Sequence, residues 1–412
     1  MDDRPPPASP GSVMRWAAAH SVLEDAAAAA DEAATAVAAR LGDGPADLVM
    51  AFFTAPLAAD AESLVAALRR RLAPGCILGA SAGAVVTTTR EIEGGAALSV
   101  IASRLPGVDV KPFVLASPNW GQTAEDPLEF ARHTTGVDGA EIVMLIGDPF
   151  SLDAESVLRA FNRHARGVRI VGGMASAGLR PHANTLVLND WIAHEGGVAV
   201  ALRGALRADV VVSQGCRPIG PVLVVTRAEQ NVILELDGQP ALERAEQVLR
   251  ELSDDEQAYL KQGLYVGRPA RGGASGRGDY LIRNLLGADR DRGALAVGDR
   301  VAERERVRLH VRDARTAQED LELLLSPQVV DSRAHAALVF SCNGRGRAFF
   351  GRSDRDIGTI QSMLGGDVPA AGFFCAGELG PVGEMNYVHG HTASIAILRP
   401  RTVAEARSRG AS

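Results

Sequence analysis

The sequence predicts an α/β protein of two domains, built from repeated strand–helix–strand–turn–strand units with mixed sheets. Its 412 residues exceed what one ordinary hydrophobic core organises, and 46% hydrophobic with 23% charged residues is the composition of a folded globular chain. Short apolar runs alternate with longer helical patterns, which favours strands connected by helices. Two stretches also share the same four-letter strings in the same order, which indicates that one unit has been duplicated.

The first copy of this unit spans about residues 47–102. The alanine-rich stretch Trp16–Leu41 precedes it and is expected to be helical. Within the copy, the apolar run Asp47–Phe53 is short enough for a buried strand, and Asp60–Ser63 opens a helical pattern. A second strand is expected to lead into the turn Gly79–Gly83, and a third strand to close the unit.

The second copy spans about residues 140–202 and repeats this order. Its helical pattern begins at Asp153–Ser156 with the same letters, Asp-Ala-Glu-Ser, as the helix of the first copy. Its second strand leads into Ala175–Gly178, which repeats the Ala-Ser-Ala-Gly letters of the first turn. Because two strings recur at matching places, we interpret both segments as copies of one supersecondary unit.

A third copy is predicted at about residues 337–398. It has an apolar first strand, a helical pattern, and a second strand with its turn at Pro369–Gly377. Alignment on the three turns places Ser81, Ser176 and Cys375 at one position, each followed by Ala-Gly. Glycine in such a turn permits a positive φ and a close approach of a ligand to the backbone.

The predicted domain boundary lies near Gln239, where a strand-rich passage ends and the helical pattern Ala241–Leu260 begins. The N-terminal domain is therefore expected at residues 14–239, with the first two copies, and the C-terminal domain at 240–398, with the third. The two ends of the chain, residues 1–13 and 399–412, are expected to be disordered tails.

Composition and charge exclude several classes of function. The formal net charge is −7, and no basic run carries interleaved aromatic residues, so no nucleic-acid partner is expected. No stretch approaches the ~20 apolar residues of a membrane helix, and the N-terminus lacks the pattern of a signal peptide. The four cysteines form no C-x-x-C motif, which argues against a zinc knuckle or a thioredoxin-like site. They are isolated and flanked by apolar residues, as is typical of a chain in the reducing cytoplasm. They are Cys76, Cys216, Cys342 and Cys375.

Several glycine-rich and cysteine-containing segments together are characteristic of one family. In the N-terminal half they are Gly79–Gly83, Val171–Ser176, Gly215–Gly220 and Glu235–Ala241. In the C-terminal half they are Cys342–Gly346, Gly372–Pro381 and His389–Thr392. With these segments the chain resembles the FIST proteins, in which a FIST N domain precedes a FIST C domain. The resemblance implies a sensory protein that binds a small ligand, with amino acids as the proposed class. It also implies an unidentified signalling protein as a possible partner.

The turn Gly79–Gly83 also matches the G-x-S-x-G string of serine hydrolases. That motif requires a helix directly after the turn, because the helix N-terminus supports the oxyanion. Here the β-branched run Val85–Thr89 follows, which disfavours a helix. Ser81 is therefore not predicted to be a nucleophile.

Chemically reactive side chains concentrate in the third copy, after its two central strands. In open α/β sheets, ligands bind beyond the carboxyl ends of the strands, so these loops are predicted to form one site. Arg345 is suited to hold a ligand carboxylate through two parallel bonds, and Glu378 to meet an ammonium group. The predicted ligand is therefore an amino acid or a related zwitterion. The predicted site residues are Cys342, Asn343, Gly344, Arg345, Gly346, Cys375, Gly377, Glu378, His389 and His391.

Other interpretations of these residues stay open. His389 and His391 would share one face of a strand, but two imidazoles fall short of most metal sites, so no metal or other cofactor is predicted. Cys342 or Cys375 with one of the histidines as base would make an enzyme, although no complete nucleophile–base–orienter motif is present. A protein-interaction module is the third alternative.

Overall fold

The computed structural model describes residues 13–117, 119–270 and 280–401 of the chain. Helix accounts for 27% and strand for 41%, which confirms the predicted α/β class with mixed sheets and two domains. Most of the two predicted tails, at residues 1–12 and 402–412, lies outside the described residues.

The chain divides into two compact domains. The repeat domain, as we name it, lies within Met1–Val212, Glu322–Val388 and Thr392–Ser412. The inserted domain consists of Ser213–Leu321 and His389–His391, and it interrupts the third copy along the chain.

The first two copies show one element order: an edge strand, helical segments around a central strand, a second strand, a hairpin and a closing strand. The first copy contains β1 (Arg15–Ser21), α1 (Ala26–Leu41), β2 (Leu48–Thr54), α2 (Ala55–Ala58), α3 (Ala61–Leu72), β3 (Cys76–Ala82), β4 (Val85–Val86), β5 (Glu91–Ile92) and β6 (Leu98–Arg104). The second contains β7 (Val108–Val114), α4 (Trp120–Thr123), α5 (Pro127–His133), β8 (Ile142–Gly147), α6 (Ala154–His164), β9 (Arg169–Met174), β10 (Leu186–Leu188), β11 (Trp191–Ala193) and β12 (Gly197–Gly204).

The inserted domain follows β13 (Leu206–Gln214), the edge strand of the third copy. Its elements are β14 (Cys216–Glu229), β15 (Val232–Leu236), β16 (Gln239–Pro240), α7 (Ala241–Arg250), α8 (Asp254–Tyr259), β17 (Leu264–Pro269), β18 (Tyr280–Asp289), β19 (Ala294–Val297) and β20 (Arg306–Arg312). The strands form one seven-stranded sheet in the order β14-β20-β17-β18-β19-β15-β16, and β14 also pairs with β15. The helix predicted at Ala241–Leu260 is thus two helices, and the second begins at a capping box of Ser253 and Glu256.

The third copy resumes with a long helix and then repeats the order of the first two. Its remaining elements are α9 (Ala314–Val329), β21 (Ala336–Cys342), α10 (Arg347–Phe350), α11 (Arg355–Leu364), β22 (Ala370–Cys375), β23 (Glu378–Val382), β24 (Met385–His389) and β25 (Thr392–Pro400).

Each copy in the repeat domain completes the sheet of its neighbour with its hairpin. The three sheets run β1-β6-β2-β3-β10-β11, β7-β12-β8-β9-β23-β24 and β13-β25-β21-β22-β4-β5. Hairpin β10–β11 of the second copy thus extends the first sheet, β23–β24 of the third copy extends the second, and β4–β5 of the first copy extends the third. The exchange is cyclic, so the three copies close into a ring.

The second strand of each copy has a glycine at the same structural position, which we call the equivalent glycine. These glycines pair in parallel with the central strand of their own copy, at Ala51, Leu145 and Val339 respectively, and in antiparallel with the neighbour's hairpin. A Cβ at any of them would overlap the carbonyl oxygen of the central strand, which is why the position requires glycine. The three residues are Gly79, Gly172 and Gly372.

The inner faces of the three sheets share one apolar core. At its centre Phe52 packs against Phe340 and Phe373, with ring centroids 6.0 and 5.1 Å apart, so side chains of the first and third copies interlock. A second core lies between the first sheet and helices α1 and α3, and a third lies between the second sheet and helices α5 and α6.

The repeated Asp-Ala-Glu-Ser strings are helix starts, as predicted. The side chain of Asp60 accepts the backbone N–H of Ser63 at the start of α3, and that of Asp153 accepts Ser156 N–H at the start of α6. The helix predicted at Trp16–Leu41 is wrong in its first part, because these residues form β1, paired with β6. Alanine favours helices only weakly, and pairing with a distant strand overrides that preference.

Candidate functional site

The turns that follow the three second strands meet at the centre of the repeat domain. Two residues after each equivalent glycine, a backbone N–H donates to a carbonyl in the next copy, which repeats the cyclic order of the hairpins. These bonds are Ser81 N to Thr185 O at 2.9 Å, Met174 N to Gly377 O at 2.8 Å, and Phe374 N to Ala84 O at 3.0 Å. The loops of all three copies are therefore held together by backbone hydrogen bonds.

A second set of hydrogen bonds joins the three copies at the residues four positions after each equivalent glycine. Ser176 N donates to Ser81 O at 3.3 Å, and Ala376 N donates to Met174 O at 3.0 Å. The third link passes through a side chain, because Gly83 N donates to Ser176 Oγ, which in turn donates to the carbonyl of Phe374. Ser176 is thus a structural bridge at the centre of the ring.

The structure corrects the alignment made on the turns. Counted from the equivalent glycine of its own copy, Ser81 is two residues on, Cys375 three and Ser176 four. The prediction that these three residues occupy one position is therefore wrong. The buried Ser81 hydroxyl accepts the N–H of Thr185 at 2.8 Å, and the short strand β4 follows the turn. That Ser81 is not a nucleophile stays a prediction.

The strand register shows where the third copy departs chemically from the other two. At three positions the third copy has a cysteine or a glutamate where the first and second copies have other residues. Cys342 corresponds to Thr54 and Asp148, Cys375 to Ala82 and Ala175, and Glu378 to Val85 and Leu186. A buried carboxyl therefore stands where the ring otherwise has aliphatic side chains.

Glu378 begins β23 and is completely buried. Its Oε2 accepts the N–H and the hydroxyl of Thr392 at 3.1 and 2.8 Å, and the Cys342 thiol also hydrogen-bonds to the carboxyl. Its Oε1 has no N–H or O–H donor among the described residues. Burial raises the pKa of Glu378 to about 8, although the bonds from Thr392 and Cys342 and the charge of Arg345 oppose that rise. The carboxyl is consequently mostly protonated at pH 7.

Arg345 is buried and already paired within the protein, whereas the sequence predicts that it holds a ligand carboxylate. Its Nε and Nη2 each donate to the carboxylate of Asp356 at 2.7 Å, and Ser341 Oγ donates to the same carboxylate at 2.9 Å. The guanidinium also lies over the ring of Phe350, 5.3 Å from its centroid. A ligand carboxylate would therefore have to compete with Asp356.

The loop after β21 is tied to the sheet through its own backbone. Asn343 N donates to the carbonyl of Cys375 at 2.9 Å, and Arg345 N donates to the carbonyl of Cys342 at 2.8 Å. These two N–H groups therefore do not converge on an open anion site. Gly346 has a φ of 82°, and the next N–H, of Arg347, donates to Glu93.

A second buried carboxyl, which sequence reasoning missed, lies beside the Arg345–Asp356 pair. Glu91 comes from the exchanged hairpin of the first copy, and its Oε1 accepts the N–H of Ile357 at 2.9 Å. Burial raises its pKa to about 8, reinforced by the negative charges of Asp356 and Asp354 and opposed by the Ile357 bond and Arg345. A short two-residue strand with one glutamate carries no sequence signal for such a position.

The two cysteines of the predicted site are neighbours. Cys342 and Cys375 are register partners at the ends of β21 and β22. Cys375 is fully buried, and burial raises the pKa of its thiol well above the ordinary value, with the charge of Glu378 adding to the effect. Cys342 is partly exposed, and its sulfur accepts the N–H of Gly344 at 3.4 Å.

The two histidines belong to the inserted domain rather than to the domain that holds the cysteines. They would share one face only if a single strand held both, and β24 ends at His389, with His391 in the following turn at a φ of 64°. Within the inserted domain, His391 Nε2 is 2.8 Å from Asn284 Oδ1, and its ring packs edge-on against Tyr265. No group of three or more His, Cys, Asp or Glu side chains placed to hold a metal occurs within residues 13–117, 119–270 and 280–401.

Comparison with known proteins now decides the family. A model of the FIST N domain matches residues 47–239, and a model of the FIST C domain matches residues 241–381. The chain belongs to the FIST family. The predicted family and domain order are thereby confirmed, and FIST domains are in general sensory domains that bind small ligands.

The relatives of this FIST protein are themselves uncharacterized. The uncharacterized protein Rv0628c of Mycobacterium tuberculosis is 34% identical over 397 residues, which are 93% of this chain and 99% of the relative. The uncharacterized protein Mb0898c of Mycobacterium bovis is 36% identical over 342 residues, which are 82% of this chain and 86% of the relative.

Two solved structures also align with this FIST chain, both of cyanuric acid hydrolases. One has a TM-score of 0.31 at 11% identity, and the enzyme from A. caulinodans has a TM-score of 0.32 at 10% identity. Each alignment covers 95% of this chain and 100% of the other, and likeness at this level carries no conclusion here. None of the helices within the described residues has the length and apolar character needed to cross a membrane.

Proposed function

We propose that this FIST protein is a cytoplasmic sensor that binds an amino acid or a related zwitterion at the loops of the third copy. Glu378 accepts the ligand's ammonium group, and the Cys342–Gly346 loop lines the site. The observation that carries the proposal is the buried carboxyl of Glu378, which replaces Val85 and Leu186 of the other copies and has an oxygen without an N–H or O–H donor among the described residues. Strongly perturbed carboxyls of this kind are typical of functional sites.

The raised pKa of Glu378 couples binding to proton release. A carboxyl with a pKa of about 8 is mostly neutral at pH 7, whereas an ammonium group favours its ionised form. Binding of the ligand therefore drives off a proton, and affinity rises with pH until the free carboxyl is ionised, above about pH 8. A ligand without a cationic group gives no such proton release.

The ammonium end of the ligand contributes more binding energy in this proposal than the carboxylate end. Asp356 already neutralises Arg345 with two hydrogen bonds. A ligand carboxylate that binds Arg345 must break one or both of these bonds, so its net binding energy is small. Cys375 supports a thiol enzyme poorly, because burial raises the pKa of its thiol and so opposes the thiolate that would attack.

Calorimetry tests the proposal. Amino acids and their amines are first screened by thermal shift, because a ligand that binds only the folded state raises the melting temperature. The best binder is then titrated at pH 7 in phosphate and in Tris, whose different ionisation enthalpies report the protons released. We expect close to one proton per ligand, and a loss of affinity of about 10- to 100-fold in Glu378→Gln, because hydrogen bonds to charged groups contribute about 1.5–3 kcal/mol.

Glu91→Gln is the matched control for this titration. It also removes a buried carboxyl whose pKa is raised to about 8, but one that lies against Ile357 rather than beside Cys342. We expect its affinity and proton release to match those of the unaltered protein. If no amino acid or amine shifts the melting temperature, or if binding releases no proton, Glu378 is not an ammonium site.

A further inference from the structure

Two thiols lie side by side at the centre of the repeat domain, in a chain where the composition favours a reducing environment. Cys342 and Cys375 form the last step of a ladder of register partners between β21 and β22. The two preceding steps on the same face are Leu338 with Ala371 and Phe340 with Phe373, all in the shared inner core. Because side chains alternate along strands, both sulfur atoms project from the same face of the sheet.

The spacing of these cysteines suits a disulfide. Neighbouring strands lie about 4.8 Å apart, and disulfides join residues whose Cα atoms are about 4.4–6.8 Å apart. Both residues end their strands, and glycines follow within two positions, at Gly344 and Gly377. Glycine permits backbone angles that other residues avoid, which lowers the strain of the adjustment that a bridge requires.

The surroundings of the two sulfurs assign them different roles. Cys342 is partly exposed and so accessible to a small oxidant, whereas Cys375 is fully buried. The Cys342 thiol hydrogen-bonds to Glu378, and the N–H of Gly344 donates to its sulfur, a bond that favours the thiolate. The Glu378 carboxyl is therefore placed to take the thiol proton in the fraction of molecules in which it is ionised, and that fraction rises as the pH approaches about 8.

We propose that Cys342 and Cys375 form a reversible disulfide in response to a peroxide, with Cys342 oxidised first and Glu378 accepting its thiol proton. In the first step the Cys342 sulfur attacks one peroxide oxygen, the O–O bond breaks, and hydroxide leaves and takes up the proton held by Glu378, which yields water and a sulfenic acid. In the second step the protonated Cys375 thiol attacks the sulfenic sulfur, the S–O bond breaks, and the departing hydroxide takes the Cys375 thiol proton and leaves as a second water. The two thiols together lose two electrons, and the peroxide gains them.

This inference goes beyond the proposed ligand binding and stands without any ligand. Disulfides in reducing compartments are usually transient and serve catalysis or redox sensing. The bridge would take the Cys342 thiol away from Glu378 and leave that carboxyl with the donors of Thr392 alone among the bonds described above. Oxidation thereby changes a buried carboxyl whose counterparts in the other two copies, Val85 and Leu186, are aliphatic.

Mass spectrometry of the full chain tests the disulfide directly. The reduced protein is treated with hydrogen peroxide under native conditions, remaining thiols are alkylated, and the peptides are mapped. We expect a linked pair of peptides containing Cys342 and Cys375, the loss of two hydrogen atoms from the intact mass, and reversal by dithiothreitol. Cys342→Ser abolishes the link, and Cys375→Ser stops at a Cys342 sulfenic acid that dimedone traps.

Two further variants separate reactivity from folding. Glu378→Gln slows sulfenic acid formation at pH 8, where a substantial fraction of Glu378 is ionised, on the order of 10²-fold, the scale of general base catalysis, but leads to the same bridge. Cys76→Ser is the matched control, because Cys76 is also a buried cysteine at a strand of the repeat domain but is a register partner of Leu48 and not of Cys342. Cys375→Ala replaces Cys375→Ser if the serine variant fails to fold.

Each outcome of the peptide mapping decides the question. A Cys342–Cys375 link that dithiothreitol reverses supports the proposal. Two reduced cysteines after treatment of the native protein, a link that involves Cys76 or Cys216, or over-oxidation of Cys342 with Cys375 present would overturn it. None of these results depends on whether an amino acid binds.

Discussion

Glu378 occupies a position at which the other two copies have valine and leucine, and its chemistry follows from that place. The same strand register that buries Val85 and Leu186 also buries the carboxyl, and burial disfavours its charged form. Arg345 is the opposite case at the residue scale. It is a buried cation made tolerable by a partner, Asp356, that sequence reasoning did not connect with it.

Replacement of Arg345 is expected to destabilise the protein even without a ligand. Arg345→Ala leaves the buried Asp356 carboxylate without its two charge-assisted bonds, so the free energy of unfolding should fall by about 3–5 kcal/mol. Arg345→Lys should recover only part of this, because an ammonium group cannot make the planar two-bond fork. Urea unfolding followed by circular dichroism measures both. A loss below about 1 kcal/mol in Arg345→Ala would show that the pair is dispensable to the fold.

At the scale of elements, the exchanged hairpins define the architecture. Each hairpin pairs with a second strand of another copy, and the pairing brings the neighbour's backbone beside the equivalent glycine. These glycines are therefore needed because the neighbouring strands lie too close for a Cβ atom, and not because the chain must be flexible there. This explains why glycine recurs in the middle of every second strand, whereas the residues after it differ.

Alanine at the equivalent glycine should disrupt the third sheet. In Gly372→Ala the new Cβ would overlap the carbonyl oxygen of Val339 in the neighbouring strand, and neither backbone can move without breaking the ladder. We expect a loss on the order of 3 kcal/mol or more, or failure to fold. The matched control is Gly358→Ala, in the exposed middle of α11 with nothing within 4 Å of the new Cβ.

The control Gly358→Ala should stabilise the protein, whereas Gly372→Ala should destabilise it. Alanine in a helix interior is favoured over glycine by about 1 kcal/mol, so Gly358→Ala is expected to raise the melting temperature slightly. Thermal unfolding of both variants measures the contrast. Equal stability of Gly372→Ala and the unaltered protein would contradict the close approach at this glycine.

At the scale of the whole molecule, three copies close into a ring, and the inserted domain interrupts the third of them along the chain. The two family segments meet at residues 239–241, close to the boundary predicted near Gln239, whereas the compact domains divide at residues 212–213 and 321–322. The family boundary and the compact-domain boundaries differ because the third copy, although it follows the inserted domain in sequence, pairs its strands with those of the first and second copies.

Global stability should fall as pH rises from about 5 to 8. Glu378 and Glu91 both have folded-state pKa values of about 8, above the 4.5 of an exposed glutamate. In this window the unfolded chain has lost these protons while the folded chain keeps them, so folding binds protons and each rise in pH opposes it. The contribution is fully present below about pH 4.5, declines through the window, and is constant above about pH 8.

Glutamine variants give the size of this effect. Each raised carboxyl contributes a slope of about 1.4 kcal/mol per pH unit, so Glu378→Gln and Glu91→Gln should each flatten the decline by about that amount. Urea unfolding at pH 5, 6, 7 and 8 measures the slopes. Identical slopes in the variants and the unaltered protein would mean that neither carboxyl is protonated in the folded state at pH 7.

Local patterns in the sequence determined the α/β class, the repeated unit, the helix starts at Asp60 and Asp153, and the family. These features depend on the period of apolar residues and on short polar strings, which act over a few residues. The position of the chemically distinct third copy was also predicted from its loops, and Cys342, Cys375 and Glu378 do lie together.

Only the tertiary structure decided which segments pair. The exchange of hairpins joins strands that are far apart in sequence, and nothing in a two-residue strand such as Val85–Val86 specifies its partner. Pairing with the distant strand β6 makes β1 a strand despite its alanines. Long-range packing likewise pairs Arg345 with Asp356 and places Glu91 of the first copy against Ile357 of the third. Strand register and buried charge pairs arise from packing between distant segments, and a local pattern does not contain that information.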